Sequence, residues 1–114
     1  MSDPHVATPV YKICSAEDWT RAERDGVYRG SEVDQRDGFI HLSTGPQLPE
    51  TLRRHFEGQR DLVLVAFEPR DLGEGLRWEP SRGGELFPHF YGALPVSLAR
   101  QVSALDDDRD WGDE

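Results

Sequence analysis

The chain has 114 residues and 13.0 kDa, with 36% hydrophobic and 31% charged residues. That is enough to close one core, and it excludes repeat arrays, long coiled coils and multi-domain layouts. The formal charge is -9, and the last nine residues, Asp106 to Glu114, carry -5 of it, so the body lacks the basic footprint of a protein for duplex nucleic acid or an anionic membrane.

The basic side is uneven, with twelve Arg and a single Lys, Lys12. One or two of those arginines suffice for a small anionic ligand. A lone cysteine, Cys14, excludes disulfide frameworks and cysteine metal clusters and reads as a small buried hydrophobe. The start of the chain lacks a basic-then-apolar signal pattern, and no apolar run approaches about 18 residues. A cytoplasmic protein without a membrane span is expected.

Residues 1–7 read as a lead-in, 8–105 as one domain and 106–114 as a flexible acidic tail. Thr8 to Cys14 is predicted as the first strand, with Pro9 at its start. Ser15 then caps a helix whose stripe is Ala16, Trp19 and Ala22, and Asp25-Gly26 stops it. From Val27 to Asp37 a loop is predicted, anchored by Tyr28 and Val33, with room for a short strand. Gly38 to Ser43 alternates as a strand, placing Phe39, His41 and Ser43 on one face and Ile40 with Leu42 on the other.

A second helix is predicted from Pro46 to Phe56, with both prolines in its first turn. Leu62 to Phe67 is the best central strand, residues 69–73 a turn, and Leu76 to Glu79 a short strand. A glycine-containing loop leads to a strand over Phe87 to Tyr91, and a last helix is expected within Val96 to Val102. The predicted core draws on Trp19, Ile40, Leu52, Phe56, Val63, Val65 and Phe87. Few helices and closely spaced later strands indicate an α+β fold with much antiparallel pairing.

Polar residues inside apolar segments are the candidates for chemistry. His41, followed by Ser43 and Thr44, can orient a ligand hydroxyl, or serve as a hydrogen-bonded histidine at a sheet edge. Phe87-Pro88-His89-Phe90-Tyr91-Gly92 combines rings that can sandwich a planar group with one imidazole. Glu79 ranks above Glu85 as a carboxylate for ribose hydroxyls or proton transfer, because Trp78 adjoins it. Arg29, Asp34, Arg36 and Asp37 read as loop ion pairs, with Arg29 or Arg36 as the alternative phosphate grip. His41, His89 and a carboxylate match no local zinc spacing, so no metal is predicted.

The ordered motifs Phe39-Ile40-His41-Leu42-Ser43-Thr44, Trp78-Glu79 and Phe87-Pro88-His89-Phe90-Tyr91-Gly92 resemble the DUF952 family of uncharacterised bacterial proteins over about residues 10–104. That family is distantly similar to the ADP-ribosyltransferase superfamily. The resemblance implies a split, mostly antiparallel sheet with two or three flanking helices around a cleft for NAD. It also implies that His41 contacts the nicotinamide ribose, that Tyr91 or His89 fills the second position, and that Glu79 takes the place of the last carboxylate. Glu79 precedes the aromatic segment here, which alters the superfamily's order of His, aromatic, Glu.

The expectation is therefore a cleft for an NAD- or ADP-ribose-like nucleotide. His41 and Glu79 are its catalytic candidates, and Ser43, Thr44, His89, Tyr91 and Arg29 its ligand contacts. Transfer or hydrolysis at the nicotinamide ribose is one outcome. A non-catalytic nucleotide-binding or protein-interaction module is the other.

Overall fold

A computed structural model describes residues 8–105, so the expectation of a flexible acidic tail over 106–114 lies outside the described residues. The elements run β1 (Val10–Ser15), α1 (Ala16–Asp25), β2 (Val27–Tyr28), α2 (Glu32–Asp37), β3 (Ile40–His41), β4 (Ser43–Thr44), α3 (Leu48–His55), β5 (Leu62–Phe67), α4 (Pro69–Leu72), β6 (Leu76–Pro80), β7 (Leu86–Phe90), β8 (Leu94–Pro95) and β9 (Gln101–Ala104). They form antiparallel sheets in the orders β4-β1-β5-β9, β3-β7-β6 and β2-β8, an α+β arrangement.

Alternation along β1 divides the interior. Val10 and Cys14 enter the larger core with Trp19, Ala22, Ile40, Val65 and Phe67, while Ile13 joins Leu48, Leu52 and Leu62 in a second cluster. Lys12 shares the parity of Val10 and Cys14 and is carried inward, where it is 5% exposed. β5 pairs with β1 from Val10↔Phe67 to Ser15↔Leu62 and with β9 on its other side, the central place its hydrophobicity demands. Six of the seven predicted core residues are buried, and Phe56 packs half-buried on the second cluster.

α1 forms as expected: Ser15 Oγ accepts the Asp18 N–H at 3.0 Å, and Gly26 at φ 85° ends the helix. The predicted second helix is α3, entered through a 3-10 turn at Gly45–Gln47 that takes up Pro46. The predicted turn after β5 closes into α4. Among the described residues, no helix is long and apolar enough to cross a membrane.

Three expectations are corrected. The loop predicted before Gly38 contains α2, held by a reciprocal capping box between Ser31 and Asp34. Its supposed anchor, Val33, is 47% exposed, whereas Asp34 is 2% exposed. The helix expected within residues 96–102 is a 3-10 turn, Val96–Leu98, followed by β9, because the edge of β5 offers a backbone ladder from Val63 to Ala66. Finally, the single strand predicted over residues 38–43 divides at Leu42. β3 pairs with β7, β4 pairs with β1, and the Leu42 N–H donates to the Pro88 carbonyl at 3.0 Å between them. The alternation survives the change of sheet: Ile40 and Leu42 are both in the core.

Candidate functional site

The seam between the two larger sheets is built around the buried carboxylate of Asp34. Its Oδ2 lies 2.9 Å from Lys12 Nζ and accepts the Ser31 N–H at 2.9 Å. Its Oδ1 accepts the His41 N–H at 3.1 Å and lies 2.6 Å from His41 Nδ1. Lys12 also donates to the His41 carbonyl at 3.2 Å. The four bonds to Asp34 use the full accepting capacity of a carboxylate. Burial pushes its pKa up, but the His41 bond, the charge and bond of Lys12 and the Ser31 N–H outweigh burial and hold the group well below the usual carboxylate range. On the other side of the ring, His41 Nε2 lies 3.0 Å from Asp37 Oδ2. Both ring nitrogens of His41 are thus engaged by carboxylates.

Directly across β3 and β7, His41 is in register with His89. His89 is 5% exposed, and its Nδ1 lies 2.8 Å from Glu79 Oε1. The Tyr91 hydroxyl donates to the same oxygen at 2.8 Å. These two bonds lower the Glu79 pKa, and the bond to Glu79 raises that of the Tyr91 phenol. The Arg77 guanidinium covers the Tyr91 ring at 5.1 Å. Phe39 is stacked on His89 with centroids 4.1 Å apart and touches the His41 ring at 4.5 Å. The two imidazole centroids are 5.6 Å apart.

The Asp34 cluster and His89 border a cavity of about 660 Å³, lined among others by Lys12, Asp34, Asp37, His41, Ser43, Thr51 and His89. Ser43 Oγ is 3.1 Å from Thr51 Oγ1, which places a hydroxyl pair on the wall. The lining holds the carboxylates of Asp18, Glu32, Asp34 and Asp37 and the cations Lys12 and Arg36. Cys14 also lines it, but burial pushes its thiol pKa up to about 12, so it is not a nucleophile at neutral pH.

Of the residues singled out in the sequence, Arg36, His41, Ser43 and His89 meet at the cavity, whereas Glu79 and Tyr91 lie outside its lining and reach it through His89. The Thr44 N–H donates to Gln47 Oε1 at 3.0 Å, away from the lining. Arg29 bonds Asp25 at 3.4 Å on the surface, also outside the lining. Glu85 accepts from Gln47 Nε2 at 3.1 Å. Lys12, Asp34, Asp37 and Thr51 are contributors that the sequence reading did not place in the site. A signal existed for the first two, a lone Lys at inward parity and a Ser-x-x-Asp spacing. Among the described residues, no group of three or more His, Cys, Asp or Glu side chains is arranged to hold a metal ion.

The crystal structure of protein CC0527 from Caulobacter crescentus is 50% identical to this chain, covering 87% of each chain with a TM-score of 0.85. A crystal structure of a double mutant of that protein gives 48% identity over 87% of each chain, also with a TM-score of 0.85. The solution NMR structure of CC0527 gives 50% identity over 86% of this chain and 84% of that one, with a TM-score of 0.78. No curated protein matches the chain. The family model described as "Protein of unknown function (DUF952)" matches residues 13–102, nearly all of the folded body and both histidine motifs, and the chain belongs to that family.

Proposed function

We propose that the cavity binds the nicotinamide-ribose end of an NAD- or ADP-ribose-like nucleotide. One observation carries this reading: two imidazoles, each held at Nδ1 by a carboxylate, stand in register 5.6 Å apart on a single cavity of about 660 Å³. That volume lies within the roughly 300–1,000 Å³ of small-molecule sites. Asp37 and the Ser43–Thr51 hydroxyl pair are suited to ribose hydroxyls. The distant similarity of the DUF952 family to the ADP-ribosyltransferase superfamily, with His41 at the first site position that similarity implies, supports the same choice.

Charge sharpens the reading. Four lining carboxylates against two cations favour a cationic nicotinamide over a phosphate, so the phosphates belong at the rim. NAD, which carries the cationic ring, is expected to bind more tightly than ADP-ribose, which lacks it. Calorimetric titration against both tests this. Absence of a saturable signal from either ligand, at millimolar concentration and low salt, rejects the proposal.

A second reading, binding without turnover, is favoured by the position of Glu79. The carboxylate expected to be catalytic is bonded to His89 and Tyr91 rather than aimed into the cavity. Release of nicotinamide from bound NAD separates the two, since a binding module releases none.

A further inference from the structure

We propose that Glu79 is a positioning residue that fixes His89 in its Nδ1–H tautomer, so that the bare Nε2 faces the cavity as the proton acceptor of the site. For its substrate the inference rests on the nucleotide reading above. For its geometry it rests on the protein alone.

The two histidines are not equivalent. His41 has carboxylate oxygens at both nitrogens, 2.6 and 3.0 Å away, so each nitrogen already faces a partner within the protein. His89 spends Nδ1 on Glu79 Oε1 at 2.8 Å, and it lines the cavity. An acceptor on one ring nitrogen sets the tautomer of the other. A carboxylate at Nδ1 therefore leaves the lone pair of neutral His89 on Nε2. Two further contacts keep that arrangement in place: Phe39, stacked at an interplanar angle of 25°, fixes the ring plane, and the Tyr91 hydroxyl holds the same Glu79 oxygen. This also gives Glu79 a role that does not require it to touch a ligand.

In the reaction, Nε2 takes the proton of a hydroxyl, from water or an acceptor, as that oxygen forms its bond to ribose C1'. The bond from C1' to the nicotinamide nitrogen breaks, and its electron pair leaves on that nitrogen. His89 ends protonated, with Glu79 beside the new charge.

The test begins without ligand. Nitrogen-15 spectra of the histidine side chains at mildly alkaline pH should show His89 protonated at Nδ1 and bare at Nε2. Glu79→Ala should convert it to a tautomer mixture, and Glu79→Gln, which retains an acceptor oxygen, should restore the wild-type state. Wild-type His89 protonated at Nε2, or a tautomer unmoved in Glu79→Ala, overturns the positioning role. With NAD, His89→Asn should lower the rate of nicotinamide release by about 100-fold or more while the dissociation constant stays within a few-fold. Release unchanged in that variant, or binding of NAD to the wild type without release, overturns the proton-acceptor role. Failure of the wild type to bind NAD rejects the nucleotide reading instead, and the tautomer measurement then decides the role of Glu79 by itself.

Discussion

Asp34 and Glu79 do the same local thing in different surroundings. Each places a carboxylate oxygen within 2.8 Å of a histidine Nδ1, on facing strands of one sheet. The Asp34 side chain is 2% exposed and lies against a lysine that is itself 6% exposed, whereas the Glu79 side chain is 32% exposed. Desolvation makes the first group costly to leave unpaired, and water makes the second replaceable. Similar hydrogen bonds thus serve two purposes. The Asp34 cluster joins β1, α2 and β3, and the Glu79 pair orients one ring.

The largest expected effect follows from that contrast. Asp34→Ala strands Lys12 as a buried cation and should cost about 3–5 kcal/mol in urea unfolding. Converting both partners to apolar residues, Lys12→Met with Asp34→Leu, should cost less than the sum of the two single changes. The pH dependence has a definite sign. The folded pKa of Asp34 lies below the ordinary value of 3.8, so its stabilisation is fully present above that value and is lost as pH falls through the folded one. The stability gap between wild type and Asp34→Asn should hold from neutral pH down to about 5 and shrink below about 4. A gap that widens with acid would overturn the assignment.

Three smaller changes probe how α2 delivers Asp34. Gly30 has φ 104°, and a Cβ there would lie 2.7 Å from Asp34 Cβ, so Gly30→Ala combines backbone strain with a clash against the buried cluster. About 1–3 kcal/mol is expected. Gly38, at φ 89° with open space around it, should cost less when changed to Ala, and equal losses would show that the clash is relieved by movement of α2. Ser31→Ala removes the cap on the Asp34 N–H at 3.3 Å and should cost about 1 kcal/mol by thermal or urea unfolding.

How far the site can be read from the sequence depends on the range of the signal. Strand β5 and helix α1 are legible because hydrophobic run, cap and stop lie within a few residues of one another. The parity of His41 and Ser43 is legible too, and it persists across the change of sheet at Leu42. The division into β3 and β4 is not, since it depends on which distant strand each half meets. Asp34 illustrates the harder case. Its Ser-x-x-Asp spacing is local, but its burial is settled by Lys12, 22 positions earlier. The end of the segment expected as a helix, residues 96–102, instead enters β9 because β5 has an edge to fill.

Glu79→Ala should have the smallest effect on stability, below that of Ser31→Ala. Its carboxylate is a third exposed, water can replace it on His89 and on Tyr91, and solvent screens its charge. Because its pKa is also lowered in the folded protein, its small contribution disappears on acidification, in the same direction as that of Asp34. Burial of the His89 ring beneath Phe39 does not depend on it, so the fold should persist while the freedom of the ring increases. Urea unfolding of Glu79→Ala beside Asp34→Ala checks this directly. A loss in Glu79→Ala comparable to that in Asp34→Ala would mean that the partly exposed Glu79 carboxylate supports the structure as the buried Asp34 does, and the division of labour between the two carboxylates would fail.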